Sequence, residues 1–179
     1  MQSHFVSLFL QYARLDRKRT LEGLSTDEAA RLAELEATIS RALLPHVPRG
    51  AERRNSIRVP AELACRWAPV ACEEEVRITT ISRTGAFIRT ARPAPIGATI
   101  AITIELPDGG RIEIPACVAN QTLSADRERR GMGVRFGRLD PAAMATIDDL
   151  YERSIIRAFG GPDVHLEPAR PASEELTSG

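Results

Sequence analysis

Thr99-Ile100-Ala101-Ile102-Thr103-Ile104-Glu105-Leu106, then Pro107-Asp108-Gly109-Gly110, then Arg111-Ile112-Glu113-Ile114, decides the fold of this chain. Ile100, Ile102, Ile104 and Leu106 alternate with Ala101, Thr103 and Glu105. That period of two puts the apolar side chains on one face of a half-buried strand. Asp108-Gly109 supplies the positive φ that a tight reversal needs, so the stretch reads as a β-hairpin.

The same patterning extends in both directions. Val59 to Trp67, Val76 to Ile81, Ala86 to Thr90, Arg111 to Leu123 and Met132 to Phe136 are short runs rich in Val, Ile and Thr. With Thr99 to Leu106 they make about six strands with no helical period between them. Such a series predicts a small antiparallel barrel or sandwich, and closure would remove the exposed edges. Gly131 and Gly133 run into a strand rather than opening a helix, so they read as close-approach or bulge positions, not as a dinucleotide loop.

Outside the strands the period changes. Phe5, Leu8, Phe9, Tyr12 and Leu15 recur at steps of three and four, as do Leu32, Leu35, Ile39 and Leu43. Ser25 and Glu28 form a capping box at the start of the second run. Residues 1–45 therefore read as a helical hairpin. Its stripes either pack on each other and on the body behind them, or leave a face for a second copy or a partner protein. Pro45 to Gly50 reads as a linker. Asp140-Pro141 opens a third helix with an apolar face of Met144, Ile147, Leu150, Tyr151, Ile155 and Ala158, ended by Gly160-Gly161-Pro162 and expected to cover an open end of the barrel. Residues 160–179 read as a disordered, acidic tail.

Across its 179 residues the chain is formally neutral, 43% hydrophobic and 27% charged, which is compatible with a sizeable core. The charge is unevenly spread. Residues 46–140 carry 15 basic against 11 acidic side chains, and residues 141–179 carry 3 against 7. The excess suits a small anion in the middle segment and is too weak for a DNA-binding face. Three cysteines, Cys65, Cys72 and Cys117, have neither disulfide nor zinc spacing, and the three histidines are dispersed. A reducing cytoplasm fits, and no run is long enough to insert in a membrane. No P-loop, nucleophile elbow, carboxylate pair or metal cluster stands out, so an enzyme is not expected.

Arginine is the informative residue. Arg54 and Arg58 stand four apart where the linker meets the first strand, with Arg53 beside them. A guanidinium presents a rigid fork to phosphate oxygens or to the O6/N7 edge of guanine, and it stacks on purines. By itself such a pair is equally a solvated basic linker. A second element, Thr80-Ile81-Ser82-Arg83-Thr84-Gly85, adds a hydroxyl in a loop and a glycine that permits close backbone approach.

Linker arginines, two strands, T-x-S-x-x-G, a strand, a hairpin and Gly-Val-Arg-Phe, in that order, resemble the PilZ family of bacterial cyclic di-GMP receptors. The resemblance covers roughly residues 50–158. It matches Arg54 and Arg58 to the family's R-x-x-x-R and Ser82 and Gly85 to its [D/N]-x-S-x-x-G. It implies a six-stranded antiparallel β-barrel followed by a helix, with cyclic di-GMP held between the arginines and the Ser82/Gly85 surface. Thr80 stands where the family carries Asp or Asn. One hydroxyl on a short branched stem replaces a longer polar group, a loss of about 1–3 kcal/mol, or roughly ten- to a hundredfold in affinity. Arg53 and Arg83 are candidates to compensate through phosphate contacts; Thr80 is itself a candidate ligand residue, the other reading being a plain strand-end residue with no ligand role. The resemblance thus implies a signalling receptor. Closing the linker over the ligand is expected to reorient the N-terminal hairpin and change what it binds, with a downstream protein partner expected and a homo-oligomer through these helices the other possibility. The alternative is a PilZ-like interaction module that binds no nucleotide.

Overall fold

The structure, a computed structural model, describes residues 2–43, 56–68 and 76–160. Arg53, Arg54, Cys72, the expected linker and the tail from residue 161 lie outside these residues. Six strands form among the described residues: β1 (Val59–Ala68), β2 (Val76–Ser82), β3 (Gly85–Arg89), β4 (Thr99–Glu105), β5 (Arg111–Thr122) and β6 (Gly131–Phe136), with burial alternating most clearly in β4 and β5. They close into an antiparallel barrel in the order β1-β2-β3-β6-β5-β4. Ile78, Ile81, Ile88, Ile102, Ile104, Ile114 and Met132 point inward and are fully buried. With few aromatics available, branched aliphatic side chains fill this interior.

The β4–β5 hairpin has the predicted turn. Gly109 adopts φ 85°, Leu106 N–H donates to the Gly110 carbonyl at 2.9 Å, and Asp108 Oδ1 accepts from Gly110 N–H at 2.9 Å. Non-consecutive β3 and β6 complete the barrel, with Gly85 opposite Arg135 and Phe87 opposite Gly133. The close-approach reading of the β6 glycines holds. A Cβ on Gly131 would lie 2.2 Å from the Ile88 carbonyl oxygen, and the Phe87 ring lies over the space.

Helices α1 (Gln2–Leu21) and α2 (Thr26–Leu43) form the N-terminal hairpin. Its capping box is made reciprocally, Ser25 N–H to Glu28 Oε2 at 3.0 Å and Glu28 N–H to Ser25 Oγ at 3.3 Å. Helix α3 (Pro141–Phe159) starts on Asp140, whose carboxylate accepts from Ala143 N–H at 2.7 Å. α1 packs against both α2 and α3, and α3 lies on β1 and β2. Phe9 stacks on Phe159 at 5.5 Å between centroids, and Phe5 meets Phe159 edge-on. Phe9, Tyr12, Leu32, Leu35 and Ile39 join the buried cluster that contains the barrel isoleucines. The helical stripes therefore pack on each other and on the body behind them.

Candidate functional site

Among the described residues, Arg58, Thr80, Ser82 and Gly85 lie towards one end of the barrel. In β1, Val59 pairs with Ile81 and Pro60 with Thr80. Val59 points into the core and pairs with Ile81, so Arg58, the residue just before it, lies near Ser82, the residue just after Ile81. Arg58 is half-buried. Ser82 pairs with Gly85 across the β2–β3 turn, and Gly85 in turn faces Arg135.

Ser82 and Gly85 shape this corner together. Ser82 is 2% exposed, and its Oγ donates to the Gly85 carbonyl at 3.0 Å. A Cβ on Gly85 would stand 2.2 Å from the Val134 carbonyl oxygen, so only glycine lets β3 lie this close to β6. Thr80 is half-buried on the outer face, level with Pro60 on one side and Phe87 on the other. The β2–β3 register slips between Ile78 and Thr80, leaving a bulge beside it.

Arg83 does not face this surface, which corrects the expectation that it makes phosphate contacts. Its side chain is 5% exposed and turns inward under the β2–β3 turn. Nε donates to Asp148 Oδ1 of α3 at 2.5 Å, and the guanidinium lies 3.7 Å from Asp16 Oδ2 of α1. Arg17 and Arg19 pair with Asp148 and Asp16 from the solvent side. A buried acidic pair demands such a counter-charge, because an isolated carboxylate in the interior costs several kcal/mol. Burial pushes the Asp16 carboxyl above the ordinary carboxylate range, and Arg19 and Arg83 oppose the shift.

The same cluster grips the segment that leads into the site. Ser56 Oγ donates to Asp16 Oδ2 at 3.3 Å. Tyr12 Oη accepts from Ile57 N–H at 3.0 Å, while Tyr151 Oη donates to the Ile57 carbonyl at 2.9 Å. Ser56 and Ile57 precede Arg58 directly, so α1 and α3 both hold the backbone from which that arginine projects. Asp16, Asp148, Tyr12 and Tyr151 were not singled out as site-positioning residues by the sequence. The available signal was an acidic residue on each helix's buried stripe: Asp16 follows Phe9, Tyr12 and Ala13 at helical spacing, and Asp148 lies three residues before Tyr151.

A closed six-stranded barrel, a helix after the last strand, and Arg58, Ser82 and Gly85 at one corner coincide with a sequence match to the PilZ domain over residues 52–153, more than half of the chain. The chain belongs to the PilZ family. Three solved structures are similar to part of this chain. Bacillus subtilis MotI/DgrA, an inhibitor of motility, is 24% identical with a TM-score of 0.46, covering 62% of this chain and 56% of its own. Escherichia coli YcgR in complex with c-di-GMP is 18% identical with a TM-score of 0.43, covering 59% and 46%. The K. pneumonia MrkH–c-di-GMP complex is 20% identical with a TM-score of 0.48, covering 60% and 54%. This PilZ chain thus spans about half the length of these structures. Among curated proteins, none matches the sequence. Among the described residues no His, Cys, Asp or Glu group is arranged to hold a metal, and no helix is long and apolar enough to cross a membrane.

Proposed function

We propose that this PilZ protein is a cytoplasmic receptor for cyclic di-GMP that binds its ligand without reacting it. The observation that carries this reading is the alignment of Arg58 with the Ser82–Gly85 corner of the barrel. Arg54 and Arg53, in the segment before it, are the companion arginines, and Thr80 flanks the same face. Forked donors on the short segment that leads into the barrel suit a ligand with two guanines and two phosphates.

Ligand capture would be read out through the helices. Because Tyr12, Asp16 and Tyr151 grip Ser56 and Ile57, any rearrangement of the arginine segment loads α1 and α3 directly. A ligand that prefers one arrangement of this segment shifts the population of the hairpin positions accordingly. A downstream protein, or a second copy docking on α1 and α2, would sense that shift. Comparing the mass in solution with and without residues 1–45 separates the two.

Thermal denaturation tests the receptor reading. A ligand bound only by the folded chain raises its stability by RT ln(1 + [L]/Kd), about 2.7 kcal/mol at a hundredfold excess over Kd. Cyclic di-GMP is expected to raise the midpoint of the unaltered chain and to leave an Arg54→Ala/Arg58→Ala variant unmoved. An unmoved midpoint in both speaks for a nucleotide-independent interaction module. That second reading has specific support in Thr80 and in the Ser82 hydroxyl, already donated to Gly85.

A further inference from the structure

Three arginines of β2, β3 and β6 project from the outer face: Arg77 and Arg89 at the strand ends away from Ser82 and Gly85, and Arg135 beside Gly85. Arg77 lies 3.9 Å from Glu62, and Arg89 is paired with Glu128. Arg135 differs. It is exposed in a strand whose other residues are all buried, and among the described residues it makes no ion pair or hydrogen bond.

Its position is fixed by the register. Arg135 lies opposite Gly85 on one side and Cys117 on the other, and the next residue, Phe136, donates its N–H to the Thr84 carbonyl at 3.0 Å. Arg135 therefore borders the Ser82–Gly85 turn itself. Gly85 has no side chain, so bare backbone separates Ser82 from Arg135. Around the barrel Ser82, Gly85 and Arg135 follow one another on β2, β3 and β6, with Arg58 just before the start of β1.

We infer that Arg135 is a ligand-binding and specificity-determining residue. It lies directly beside Gly85 and holds the anionic phosphodiester of the bound cyclic dinucleotide from the β6 side of the Ser82–Gly85 turn. This inference rests on the receptor reading above. A guanidinium there offers a fork to phosphate oxygens and offsets, from another strand, the polar contact that Thr80 does not provide. The other occupation open to an exposed strand arginine is plain solvation, which would leave ligand affinity untouched.

Calorimetric titration of cyclic di-GMP into the unaltered chain, Arg135→Ala, Arg135→Lys, Arg135→Glu and, as reference, Arg58→Ala tests this. Arg135→Ala is expected to weaken binding tenfold or more. Arg135→Glu should weaken it further, and Arg135→Lys less, because it keeps the charge without the fork. All three position-135 variants should melt at the same temperature as the unaltered chain without ligand, since Arg135 supports no structural contact. Affinity unchanged within twofold in Arg135→Ala, with binding lost in Arg58→Ala, overturns the role of Arg135 and leaves the receptor standing. No binding by the unaltered chain overturns the receptor reading and this inference with it.

Discussion

Arg83 Nε and Asp148 Oδ1 lie 2.5 Å apart in the interior, joining the turn between β2 and β3 to the buried face of α3. The same guanidinium reaches toward Asp16 of α1, so one side chain ties the site's turn to two helices. Removing one member of a buried charge cluster leaves the others uncompensated. Arg83→Ala is expected to cost about 3–5 kcal/mol in urea unfolding, while Arg83→Met with Asp148→Leu should recover part of that loss. An Arg83→Ala chain as stable as the original would contradict the inward placement of this arginine.

The two tyrosines that grip Ile57 make stability alkali-sensitive. Burial, with the Asp16 charge as the next cause, pushes the Tyr12 phenol up to about 12, and burial raises Tyr151 as well. In the unfolded chain a tyrosine loses its proton near pH 10. Between that value and the folded one the native state holds more protons than the unfolded state, so stability is complete below about pH 10 and falls as pH rises through the folded value. For Tyr12 alone the loss is on the order of 2 kcal/mol by pH 12. Thermal midpoints taken from pH 8 to 11 should decline at the upper end, and Tyr12→Phe should flatten the decline while lowering the midpoint at neutral pH.

Gly85 has a packing duty independent of any ligand. An added methyl would lie 2.2 Å from the Val134 carbonyl oxygen, a backbone atom held in the β3–β6 ladder. Gly85→Ala is therefore expected to destabilise the barrel by about 1–3 kcal/mol through overpacking, readable as a lowered denaturant midpoint without ligand. Loss of nucleotide binding in that variant alone would not distinguish a contact from a displaced strand, which is why Arg58 and Arg135 are the cleaner probes.

Thr80→Asn tests the odd position of the motif. Thr80 is half-buried on the outer face between Pro60 and Phe87, with space defined by strands rather than by a loop. Asn adds a donor and an acceptor on a longer stem. If Thr80 faces the ligand, affinity for cyclic di-GMP should rise about tenfold, one good hydrogen bond's worth. Identical affinity in the two proteins would assign Thr80 to the strand alone.

Much of this fold was legible because local chemistry and tertiary structure agree. Alternation in Ile100 to Leu106, the Asp108-Gly109 turn, the Ser25/Glu28 box and the Asp140-Pro141 start each specify an element within a residue or so of where it lies. Closure of β3 onto β6 is not written in any local period. It depends on backbone approach at Gly85 and Gly131, which a sequence shows only as glycines. The site was legible as a motif and not as geometry. Arg83 sits inside the motif and yet belongs to the core, because Asp16 and Asp148, far away in sequence, need its charge. Arg135 was visible within Gly-Val-Arg-Phe, but only the strand order puts it beside Gly85.

Calorimetric titration of cyclic di-GMP into the purified chain tests the central claim most directly. The account predicts saturable heat with one or two ligands per chain, abolished in the Arg54→Ala/Arg58→Ala variant. No heat at tens of micromolar protein with ligand in excess, or equal heat in the double variant, would contradict it.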